Sequence, residues 1–116
     1  MRHRDVAHLI DILGAARLIQ AFIQGVDQQT FNKDVMLQSA VIRQIEIMGE
    51  ATKRLSEDFK RAQPHIPWRK VAGMRDILIH AYDFVDLGEV WNAVTTSIPD
   101  TVRKIEELIP QDAESE

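Results

Sequence analysis

Apolar side chains recur every three or four residues along almost the whole chain, and no stretch alternates polar with apolar residues. That period belongs to helices with one buried face, whereas a half-buried strand needs a period of two. The pattern therefore points to an all-α fold. With 116 residues there is room for one domain of about four medium helices.

The first helix is expected over residues 5–24. Val6, Leu9, Leu13, Ala16 and Ile23 form one stripe, and Ile12, Ile19 and Phe22 form a neighbouring one. A face this broad meets more than one neighbour. GVDQQTFNKD reads as a connection, with Asn32 placed to N-cap the next helix. The second helix is expected over 33–59, with Leu37, Val41, Ile45, Met48, Leu55 and Phe59 facing inward and Ala40, Ile47 and Ala51 widening the face. Gly49 within it costs about 1 kcal/mol relative to alanine, which close approach by a neighbouring element would explain. The two prolines of RAQPHIP end this helix.

A third helix starts near Pro67 and runs through WRKVAGMRDILIHAY, with Val71, Met74 and Leu78 inward. The fourth spans 86–109, with Val90, Trp91, Val94, Ile98, Ile105 and Leu108 at helical spacing, and Pro99 predicts a kink or a break capped by Ser97. The expected architecture is an antiparallel four-helix bundle over 1–110 and an acidic, frayed tail over 111–116. Its broad faces leave apolar surface for a homodimer.

Charge is unevenly distributed. The net charge of -4 argues against an extended grip on nucleic acid, yet residues 43–80 carry 8 basic against 5 acidic side chains. Residues 81–116 carry 2 basic against 9 acidic. Only the middle segment, which holds Lys53, Arg54, Lys60, Arg61, Arg69 and Lys70, offers a field attractive to phosphate, and on charge alone these side chains are also an ordinary solvated helix surface. The acidic fourth helix suits a protein partner or plain solubility. Trp68 is expected to anchor the third helix and Trp91 to pack in the core.

With no cysteine in the chain, disulfides, thiol nucleophiles and cysteine-ligated zinc are excluded. The opening MRHRDVAHLIDIL is charged and amphipathic, so neither a signal peptide nor a membrane span is expected, and the cytoplasm is the default location. There is no phosphate-binding glycine loop, HExxH or GxSxG. His3, His8 and His65 have no metal-binding spacing, and neither metal nor cofactor is expected.

His80 stands apart because Asp76 lies four residues before it, close enough on a helix to orient the imidazole and favour its charged form. Arg75 lies about 140° from His80 around an ideal helix. The two can converge if the helix ends near His80, or if two such helices meet across a two-fold axis. Tyr82 joins Arg75 on one face if the helix continues. On these residues alone, an Asp76–His80 pair closing a helix end is also an ordinary stabilising device.

The wider segment PWRKVAGMRDILIHAYDFVDLGEVW resembles the hallmark region of the HepT family of the HEPN superfamily, the toxin half of the HepT/MntA type VII toxin–antitoxin systems. Its RxxxxHxY motif is matched by Arg75, His80 and Tyr82. The resemblance covers nearly the whole chain: a DxxHLxDIL-like opening, QxxxxxGEAxxxLS from Gln44 to Ser56, Pro67 and Trp68, then the motif and a VWxxxxxxIP-like helix. Asp76 stands where many relatives carry Asn, a variation that would tune the histidine without removing the site.

The resemblance implies an HEPN-type bundle and a metal-independent endoribonuclease working at a dimer cleft. Arg75 would bind the scissile phosphate, and His80 would exchange protons with the 2'-hydroxyl and the leaving 5'-oxygen. Asp76 would support His80, Tyr82 would receive AMP from an MntA-like nucleotidyltransferase antitoxin, and Lys53, Arg54, Lys60, Arg61, Arg69 and Lys70 would be the candidates for guiding the RNA backbone. The alternative is a non-catalytic HEPN module that binds a nucleotide or a protein.

Overall fold

The computed structural model describes residues 3–80 and 84–109, with the backbone alone for 77–80 and 84. Tyr82 and the 111–116 tail lie outside the described residues. The elements run α1 (His3–Ile23), α2 (Gln28–Lys33), α3 (Val35–Lys53), α4 (Glu57–Ala62), α5 (Trp68–Ala72), α6 (Met74–Leu78), β1 (Ile79–His80), β2 (Phe84–Val85), α7 (Leu87–Asn92), a π-helical turn (Ala93–Ser97) and α8 (Ile98–Glu106).

α1 packs along α3, with α8 against α1 and with α5 and α6 against α3. By length and composition α1 could cross a bilayer. Its stripe of Leu9, Ile12, Leu13, Ala16 and Ile19 is instead buried in the core, together with Val41, Ile45 and Met48 of α3. Arg17 on its outer side pairs with Glu106 of α8 at 3.4 Å. The large apolar side chains left exposed among the described residues are Leu18, Val35 and Met36.

The long second helix expected over 33–59 is two helices. The reason is Ser56, whose extended backbone leaves the helix and whose Oγ accepts from the Phe59 N–H to cap α4. Its own N–H and Oγ–H both donate to the Asp5 carboxylate at 2.8 Å, so the break is bonded to α1. Asp5 is buried, and hydrogen bonds to a charged group stabilise by about 1.5–3 kcal/mol each.

The cap of α3 is Asp34, which accepts from the Leu37 N–H, rather than Asn32. Asn32 lies inside α2, itself capped by Asp27 within the segment expected to be irregular. The Asp27 carboxyl is held below its usual range, chiefly by the backbone N–H of Thr30. Gly25 ends α1 at a φ of 74°, where a side chain would be strained.

Two further expectations change. Asp86 caps α7 and helical backbone continues through Pro99 to Glu106, but Ser97 makes no capping hydrogen bond. A π-helical turn occupies 93–97, the wider spiral lying where an α-helical carbonyl would collide with the Pro99 ring. The third helix starts after Pro67, is interrupted at Gly73 and ends at Leu78, short of Tyr82. Its continuation is a two-residue antiparallel pairing, Ile79 with Val85 and His80 with Phe84. So short a ladder has no periodicity to read.

Candidate functional site

Arg75 lies on α6, whose position is fixed from behind by the contact of α5 with α3. Gly49 makes that contact possible, because a Cβ there would meet the Ala72 carbonyl oxygen at 3.1 Å. The close approach expected at this glycine is therefore present. Trp68 anchors the other end of α5: its indole N–H donates to the Gln63 carbonyl at 3.1 Å and its ring lies 5.8 Å from that of Phe59. Trp91, partly buried, packs its ring 5.3 Å from Phe31.

Between α3 and α6 opens a cavity of about 350 Å³. Arg43, Glu46, Glu50 and Lys53 line it from α3, Arg75 and Asp76 from α6, and Gly49 and Ala72 complete it. The Arg75 side chain is 51% exposed, with its Nε 3.7 Å from Glu46 Oε1 and its Nη1 3.8 Å from Asp76 Oδ1. Both contacts are too long to be hydrogen bonds. They hold the guanidinium by charge while leaving its face open to an incoming anion. Glu46 is shared with Arg43 at 3.8 Å.

Reasoning from the motif missed Arg43, Glu46 and Glu50. The signal was present: 43, 46, 50 and 53 follow spacings of three, four and three, one charged stripe beside the inward apolar one.

The helix ends two residues before His80. Ideal helical geometry therefore no longer fixes the angle between Arg75 and His80. It also removes the premise of a helical Asp76–His80 pair. The His80 side chain and the whole of Tyr82 lie outside the described residues.

The four main backbone-guiding candidates fall on different surfaces. Lys53 belongs to the Arg75 cavity and also to the next one, where Arg69 lies. Arg54 lines a separate cavity with Arg4, Asp5 and Ser56. Lys70 lines another with Arg103 and Asp100, whose carboxyl is held low by its hydrogen bond and charge contact with Lys104 and then by Arg103. Among the described residues no group of three or more His, Asp or Glu is placed to hold a metal ion.

Comparison with known proteins extends over most of the chain. A family model described as ribonuclease HepT-like matches residues 12–108. A probable ribonuclease HepT of Thermococcus cleftensis is 46% identical over 106 residues, covering 91% of this chain and 94% of that protein. A putative RNase of Methanocaldococcus jannaschii is 40% identical over 117 residues, covering 100% and 96%. A second putative RNase of that organism is 37% identical over 107 residues, covering 91% and 98%. No solved structure matches the chain at a significant level.

Proposed function

Because the chain belongs to the ribonuclease HepT-like family, we propose that it is a metal-independent endoribonuclease, the toxin of a toxin–antitoxin pair. The observation that carries the site assignment is the half-exposed Arg75 guanidinium at a cavity mouth, on a helix that ends just before His80. Arg75 holds the scissile phosphate and stabilises the charge growing on its non-bridging oxygens. His80 takes the proton of the 2'-hydroxyl as its oxygen bonds to phosphorus, and a protonated His80 supplies the leaving 5'-oxygen as the phosphorus–oxygen bond breaks. The products are a 2',3'-cyclic phosphate and a 5'-hydroxyl, so RNA is cut and DNA is not.

Two protomers bring their Arg75 and His80 pairs into one cleft, and Asp76 supports the acid–base chemistry through charge. The successive helical runs support a four-helix HEPN-type bundle whose last helix bends at Pro99. Control is by AMP addition to Tyr82 from an MntA-like nucleotidyltransferase antitoxin in the cytoplasm. A bulky anion two residues from His80 opposes a second phosphate in the cleft.

The test is incubation of unmodified protein with end-labelled RNA in EDTA, beside Arg75→Ala and His80→Ala. Wild type cleaves and leaves cyclic phosphate ends, while both variants lose at least a hundredfold in rate, the order expected for a lost phosphate-stabilising or acid–base group. Equal background cutting in all three, with folding confirmed by circular dichroism and Tyr82 unmodified by mass spectrometry, sinks the assignment in favour of a binding module.

A further inference from the structure

A second cavity, of about 470 Å³, adjoins the Arg75 cavity, with Lys53 and Ala72 as the wall between them. Its charged lining is Lys53, Lys60, Arg61 and Arg69 against Glu57 alone. Lys60 is bonded to Glu57 at 3.0 Å and Arg61 to Asp58 at 2.6 Å. Lys53 and Arg69 have no carboxylate within ion-pair distance among the described residues.

Two cations from different helices thus face one space without local compensation. Trp68, the aromatic residue here, is buried, with its N–H committed to Gln63 and its ring packed beside Phe59. It offers no platform for a base, so the cavity recognises charge and not sequence.

We infer that this cavity is a phosphate subsite, in which Lys53 and Arg69 hold a backbone phosphate of single-stranded RNA flanking the phosphate at Arg75. The inference rests on the ribonuclease reading for the role of the Arg75 cavity. RNA long enough to occupy both cavities gains the subsite, whereas a dinucleotide, with one bridging phosphate, does not. Each phosphate neutralised on a single strand adds about 0.7 to the slope of log affinity against log salt.

The experiment compares the wild-type protein with Lys53→Gln/Arg69→Gln, in which the side-chain stems are kept, and with Arg69→Gln alone, which leaves the lining of the Arg75 cavity intact. Lys33→Gln/Arg103→Gln, outside both cavities, makes the same change in net charge as the double subsite variant. Binding of a labelled 2'-O-methyl hexanucleotide is followed by fluorescence anisotropy from low to high salt. Cleavage of an unmodified dinucleotide and hexanucleotide is measured beside it.

The subsite variant should bind the hexanucleotide at least fivefold more weakly at low salt and lose about 0.7 from the salt slope. Arg69→Gln alone should cut the dinucleotide at the wild-type rate, and the control pair should bind like wild type. Unchanged binding in the subsite variant, or equal weakening in the control, overturns the inference even where RNA is cut. A selective binding loss with no cleavage by any protein refutes the ribonuclease reading instead and leaves the RNA phosphate site standing.

Discussion

The two cavities that meet at Lys53 are of similar size, about 350 and 470 Å³, but not of similar charge. Beside Arg75, three cations face three carboxylates; beside Arg69, four cations face one. The balanced cavity has little net pull on a phosphate, so in the proposed function Arg75 works through its position and through the charge that develops during reaction. The basic cavity pulls on any phosphate and distinguishes nothing else. Binding that is equally strong before and during the reaction lowers KM without raising kcat. On the proposed reading, placing capture and chemistry in adjacent cavities keeps the cleavage step from being slowed by over-tight binding at the scissile phosphate.

The largest expected disruption removes the difference by moving the wall common to both cavities. Gly49→Val places atoms against the Ala72 carbonyl, where even a Cβ comes to 3.1 Å. Overpacking of this kind costs about 1–3 kcal/mol, so the denaturant midpoint falls while kcat and KM both worsen. An effect on one kinetic parameter alone would show that α5 does not couple the cavities.

A smaller change sharpens the contrast. Glu46→Gln removes the carboxylate 3.7 Å from Arg75 and leaves the cavity with a net positive lining. An exposed ion pair is worth about 0.2–1 kcal/mol, so kcat drops by a factor of about two to five while hexanucleotide binding tightens and its salt slope steepens. Unchanged kcat would mean that Glu46 does not hold the guanidinium.

The all-helical class, the core stripes, the anchoring by Trp68 and the close approach at Gly49 were legible because each follows from period or side-chain volume. The breaks were harder to see. Ser56 reads as one more residue in a long amphipathic run, and only its bonds to Asp5, 51 residues away in sequence, make it a helix end. Asn32 and Asp34 are both competent caps, and local sequence does not choose between them. The π-helical turn before Pro99 is one of several ways a helix can accommodate proline, the expected break at Ser97 being another.

At the site, the motif singled out Arg75, Asp76 and His80 but was blind to the α3 stripe, which joins the Arg75 cavity only when α6 is laid over it. Likewise Lys53 and Arg54 are neighbours in sequence, yet helical geometry sends them to different cavities.

The central claim is a division of labour between the adjacent cavities, and steady-state cleavage of one short single-stranded RNA in EDTA tests it most directly. Arg75→Ala should lower kcat by at least a hundredfold, whereas Arg69→Gln should raise KM at least threefold and leave kcat within a factor of about two. Losses in the same parameter for both variants, or full activity in Arg75→Ala, would contradict it.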